Sequence, residues 1–128
     1  MPIALVVEDE WLVRMEIADA FQDNGWTVLE AATGEASLTF SLTHIDLLVT
    51  DIRLPGRLNG WDVADAFRAA NCAVAVIYCS GNSADPTRVL PGSIFFSKPC
   101  RTDILIRAAA SLCAAGSAGP SLRSGQSG

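Results

Sequence analysis

The chain is poor in lysine: eight of its nine basic residues are arginine, and Lys98 is its single ammonium side chain. It has one histidine, His44, and no cluster of Lys and Arg, and its net charge is −5. That balance excludes a non-specific nucleic-acid surface, which requires concentrated positive charge. No apolar run approaches the ~18 residues that a membrane-crossing helix needs. The opening segment Pro2–Val7 has no basic residue before its apolar run, and acids follow at once. It therefore reads as a buried strand rather than a signal peptide, which makes the cytoplasm the expected location. Cys72, Cys79, Cys100 and Cys113 show no C-x-x-C spacing. Reduced thiols are expected, with a redox role for Cys100, beside Lys98 and Pro99, as the alternative.

With 128 residues, half of them hydrophobic, the chain suffices for one domain with a real core. Short apolar runs at Ile3–Val7, Thr27–Leu29, Asp46–Thr50, Ala73–Tyr78 and Ser93–Phe96 alternate with helical patterns. Three of those runs are almost continuously apolar, as strands of a parallel sheet covered on both faces must be. The intervening stripes are Val13, Ile17, Ala20 and Phe21, then Val63, Ala66, Phe67 and Ala70, and last Ile104, Leu105, Ala108 and Leu112. Thr33 is placed to cap a further helix, and Gly25 to stop the first. Alternating strand and helix predicts a doubly wound α/β sandwich. Between Asn82 and Gly92, Pro86 and Pro91 leave room for a short or irregular fourth helix only. The chain divides into a folded unit at 1–115 and a flexible, Gly- and Ser-rich tail at 116–128 that has too little apolar surface to order itself.

In open α/β sheets, ligands bind beyond the carboxyl ends of the strands. Glu8, Asp9 and Glu10 follow the first strand, Asp51 the third, Ser80 the fourth and Lys98 the fifth. Acids, a hydroxyl and an ammonium thus converge on one edge. Carboxylates crowded together repel unless protonated or bound to a metal, and an all-oxygen donor set suits Mg²⁺. One carboxylate remains to attack an electrophile whose charge the cation and Lys98 neutralise, which is what phosphoryl transfer requires.

In this order the residues resemble the receiver domain of two-component response regulators, over roughly residues 3–114. Five matches carry the resemblance: Glu8 with Asp9, the acceptor run Val49–Gly56, the helix start Leu58–Trp61, Ser80 with Gly81, and Lys98 with Pro99. It implies a five-stranded parallel, flavodoxin-like sheet in the order 2-1-3-4-5. It also implies Asp51 as phosphoacceptor, with Mg²⁺ held by Asp9, by Glu8 mostly through water, by Asp51 and by the backbone carbonyl of Arg53. Lys98 would pair with the phosphoryl oxygens, and the bond before Pro99 would be cis. Ser80 matches the switch hydroxyl and Phe95 the switch aromatic. Arg53 and Asn82 match the positions that tune phosphate lifetime. The interval from Ser80 to Lys98 is shorter than the family's usual form by about one helical turn.

The resemblance implies phosphate taken from a histidine kinase or histidine phosphotransfer protein and output by protein contact, without direct nucleic-acid or membrane binding. The chain would be no enzyme beyond its own phosphoryl transfer and dephosphorylation. A non-phosphorylated scaffold, or a receiver excised from a larger regulator, stays open. An aspartate-nucleophile phosphatase is the disfavoured enzyme alternative, because Arg53 stands where that chemistry needs a second acid. His44 reads as a surface residue, and Trp11 and Trp61 as packing residues at helix starts.

Overall fold

A computed structural model describes residues 2–118 of the protein. Five strands, β1 (Ile3–Val7), β2 (Thr27–Ala31), β3 (Leu47–Thr50), β4 (Ala75–Ser80) and β5 (Ile94–Ser97), form one parallel sheet in the order β2-β1-β3-β4-β5. Among the described residues, four helices, α1 (Trp11–Asp23), α2 (Gly34–Ser37), α3 (Gly60–Ala70) and α4 (Thr102–Ala118), supply the covering layers. The expected topology is the one observed. Helix α4 continues three residues past the expected tail boundary at 115, and residues 119–128 of that tail lie outside the described residues.

The period-two alternation of strand side chains explains why the central strands are apolar throughout. Leu5 and Val7 of β1 point to one face, where Leu48, Val63, Phe67, Val76 and Tyr78 join them. Ala4 and Val6 point to the other, with Ile17, Phe21, Leu47, Val49, Ile77 and Leu105. The edge strands β2 and β5 bury less.

Three helical stripes differ in part from the expected ones. Ala18 accompanies Ile17 and Phe21 into the core, Ala64 replaces the outer Ala70, and Ile104 stays 38% exposed while Leu105 and Ala109 are buried. Thr33 caps α2, its hydroxyl accepting from the Ala36 amide at 2.9 Å. Gly25, at φ +88°, ends the α1 turn in a conformation that costs a side-chain-bearing residue. Among the described residues, the β4–β5 connection holds turns and no helix. Arg88 ties this connection to α3 through Asp62 and Asp65, at 3.2 and 3.0 Å.

The start of α3 is held by a reciprocal cap. The Asn59 side chain accepts from the Asp62 amide and the Asp62 carboxylate accepts from the Asn59 amide, both at 3.0 Å. Gly60 then passes against the Asp51–Ile52 backbone, its amide donating to the Ile52 carbonyl at 2.8 Å. A Cβ at Gly60 would overlap the Asp51 carbonyl oxygen and press on the Ile52 Cα, neither of which is a flexible side chain. Gly60→Ala is therefore expected to destabilise the protein by about 3 kcal/mol, the upper end for overpacking. Urea unfolding measures it, and a loss under about 0.5 kcal/mol, ordinary for a surface change, would contradict the close approach.

Candidate functional site

The sheet order reverses between β1 and β3, and the loops leaving those two strands part there. Glu8 and Asp9 extend from β1 and Asp51 from β3, and each can offer an oxygen within 4.8 Å of the other two. Their environments differ: Glu8 and Asp51 are buried, whereas Asp9 is exposed. Lys98, just past β5, reaches across β4 to join them. Its Nζ donates to Glu8 Oε1 at 2.7 Å and Asp51 Oδ2 at 2.9 Å, with Glu10 Oε1 at 3.9 Å. The remaining Asp51 oxygen, Oδ1, accepts from the Ile52 amide at 2.6 Å. Both Asp51 carboxylate oxygens are thus oriented by this chain.

Burial pushes the Glu8 carboxyl up, against the lowering hydrogen bonds from Lys98 and the Glu10 amide, and the nearby Asp51 charge adds to the rise. Burial works against the Lys98 ammonium, yet its bonds to Glu8 and Asp51 outweigh it and hold the group above the usual lysine range. The pocket carries more negative charge than its one ammonium balances. Its hard carboxylate oxygens fit a small divalent cation completed by water.

Arg53 is exposed on the loop after β3 and lines an open depression together with Asp9 and Asn59. Ser80 is fully buried at the end of β4, and its hydroxyl accepts from the Asn82 amide at 3.1 Å, with no bond to Asp51. Phe95 stacks on Trp61 at 6.0 Å between ring centroids, and Tyr78 packs against both rings. The Lys98–Pro99 peptide is cis. His44 is exposed.

Two expectations fail. Trp61 packs as expected, but Trp11 is 61% exposed, because it begins α1 on the side away from the sheet. The thiols are not all reduced: Cys79 and Cys100 form a disulfide, since β4 and β5 run side by side and bring the two sequence-distant residues to a Cα–Cα distance of 6.5 Å. Arg14 was not singled out either. It donates to the Glu8 carbonyl at 2.7 Å and pairs with Glu30 at 3.2 Å, bracing the acidic loop. The only sequence signal was its place one turn after Glu10.

Fold and site together define a doubly wound α/β protein with a cation-ready acidic pocket at its topological switch point. Residues 4–110 match the response regulator receiver domain, and the chain belongs to that family of two-component signalling modules. Its pocket of Glu8, Asp9 and Asp51 is typical of the family's phosphoacceptor site. The alkaline phosphatase synthesis transcriptional regulatory protein SphR of Synechococcus elongatus is 32% identical over 80% of this chain and 45% of its own length. The aerobic respiration control protein ArcA of Escherichia coli K12 is 33% identical over 70% and 37%. The chain thus spans less than half the length of these curated relatives.

Among solved structures, a response regulator receiver protein from Sinorhizobium medicae superposes with a TM-score of 0.85 at 28% identity, covering 90% of this chain and 96% of that one. The response regulator TrrA of Thermotoga maritima, solved with Mg²⁺ and BeF, gives 0.75 at 25%, covering 88% and 99%. Among the described residues, no helix is long and apolar enough to cross a membrane.

Proposed function

We propose that this receiver accepts a phosphoryl group on Asp51 from a phosphohistidine of a histidine kinase or histidine phosphotransfer protein. The observation that carries the reading is Lys98 Nζ held between the buried carboxylates of Glu8 and Asp51. Glu8, Asp9, Asp51 and the Arg53 carbonyl would hold Mg²⁺, which supplies charge neutralisation at the transferring phosphoryl oxygens. Asp51 Oδ2 forms the new P–O bond as the donor's N–P bond breaks, and the imidazole takes a proton from water. The Ile52 amide keeps Oδ1 in place, so the attacking oxygen is positioned before the donor arrives. Lys98 then exchanges its Asp51 partner for a phosphoryl oxygen, and the Ser80 hydroxyl turns from Asn82 towards the same group. Phe95, already against Trp61, moves with Ser80 as the switch, so that phosphate shifts the population between two surfaces.

The donor has an apolar landing beside the pocket: Trp11, Leu12 and Met15 are exposed on α1, directly after Glu10. Output goes through protein contact, in the cytoplasm, with no direct nucleic-acid or membrane binding and no turnover beyond the domain's own transfer and dephosphorylation. The receiver unit runs to the end of α4 at Ala118. The partial coverage of the longer relatives supports a second reading, in which the unit is the receiver of a larger regulator.

Tryptophan fluorescence tests the site. Mg²⁺ is expected to give a saturable change from Trp11 and Trp61, and beryllofluoride a further change that Asp51→Asn abolishes. A Mg²⁺ response with no beryllofluoride response would move the reading to a non-phosphorylated scaffold.

A further inference from the structure

Cys79 is the residue before Ser80, and Cys100 stands two residues after Lys98. Strand alternation sends Cys79 to the face of β4 opposite Ser80, towards α1 and α4, where Cys100 also packs. Their bond therefore fastens the back of the two loops that carry the switch hydroxyl and the ammonium. On the front, the Lys98 amide donates to the Ser80 carbonyl at 2.8 Å, so this crossing between strand ends is closed by one hydrogen bond and one disulfide. The pair is also reachable. Cys79 is 3% exposed, but Cys100 is only partly buried, and both line a cavity of about 340 Å³ bounded by Lys98, Pro99, Val13 and Ile17. A small oxidant or thiol can enter without unfolding the sheet.

We propose that Cys79 and Cys100 form a reversible dithiol/disulfide modification site that sets the reactivity of the acidic pocket by fixing or releasing the Lys98 loop. The proposal rests on the reading of Asp51 as acceptor and of the cytoplasm as location, where disulfides are characteristically transient or sensing rather than structural. The oxidant is hydrogen peroxide. The Cys100 thiolate attacks the peroxide oxygen, the O–O bond breaks, and Cys100 becomes a sulfenic acid as hydroxide leaves and is protonated. Cys79 then attacks that sulfur, the S–S bond forms and water is lost, so two thiols are oxidised and one peroxide is reduced to two waters. A thiol reductant reverses it by exchange at the more accessible Cys100 sulfur. In the oxidised state the loop is clasped and Lys98 is held on Asp51 and Glu8. In the reduced state only the Ser80–Lys98 hydrogen bond remains across the crossing, and the ammonium loses part of its preorganisation.

The test uses the full chain, oxidised with hydrogen peroxide or reduced with dithiothreitol. Alkylation and intact mass should show two fewer alkyl groups on the oxidised form, reversibly, with Cys100→Ser unable to make the change. Hydrogen exchange at the Lys98 amide, which needs no phosphoryl transfer, should be several-fold faster after reduction. Acylphosphate formation at Asp51 from acetyl phosphate should be about tenfold slower in the reduced wild type, and in Cys100→Ser under either condition. Failure of the thiols to interconvert, or equal exchange in both states, overturns the clasp. Altered exchange with equal phosphorylation rates overturns the control of reactivity. A clasp that responds while neither state takes phosphate overturns the acceptor reading instead.

Discussion

An Asp51→Asn chain is expected to take no phosphoryl group from acetyl phosphate, while folding as stably as the wild type or more so. Asn keeps an oxygen at the Oδ1 position, so the Ile52 amide retains its partner and the loop after β3 keeps its course. What disappears is the anionic nucleophile at Oδ2, for which a neutral amide nitrogen is no substitute. The substitution also removes one of two buried carboxylates competing for Lys98. Glu8 is then left with the ammonium to itself and without the Asp51 charge that pushes its carboxyl up. Intact-mass spectrometry reads the first effect and thermal unfolding without Mg²⁺ the second. Phosphate on the variant would place the acceptor elsewhere, and a marked fall in Tm would mean that Asp51 is chiefly a structural acid.

Lys98→Ala should affect both stability and transfer. Its side chain is 21% exposed, but the Glu8 and Asp51 side chains it pairs with are only 3% and 9% exposed. Leaving buried acceptors without a partner costs about 1–3 kcal/mol. The transfer rate is expected to fall about 10²–10³-fold, the usual cost of removing a preorganised charge-stabilising donor. Lys98→Arg should recover much of the stability but little of the rate, because a planar fork cannot replace a compact ammonium seated between two carboxylates.

The pH dependence follows from Glu8. Burial already raises its carboxyl in the folded state, and loss of the Lys98 hydrogen bond raises it further. A folded state that holds the proton more tightly than the unfolded one is penalised at neutral pH and relieved on acidification through the raised value. The stability gap between wild type and Lys98→Ala should therefore be widest near neutrality and narrow as pH falls. A gap that widens towards acid would show that Glu8 is not the group left exposed to the loss.

Much of the architecture was legible in the chain because it rests on local patterning. Apolar runs too short for a helix read as strands buried on both faces, and their alternation with helical stripes leaves a doubly wound sheet as the economical arrangement. Strand-end chemistry puts Glu8, Asp9, Asp51 and Lys98 on one edge, where the structure gathers them. The margins of the helix faces were less legible, at Ala64 against Ala70 and at Ile104, because a spacing of three or four does not say which side of a stripe the sheet will cover.

What the sequence by itself determined is therefore the order of elements and the edge on which the reactive side chains gather, both consequences of short-range periodicity. Tertiary structure alone decided which groups touch. Lys98 lies 47 residues from Asp51 and 90 from Glu8, yet bonds to both. Cys79 meets Cys100, 21 residues later, because β4 and β5 end side by side. Trp11 faces outward although it follows the acid cluster directly. Such pairings depend on how strands register and helices rotate against the sheet, and those choices are made by the packing of the whole core rather than by any one segment.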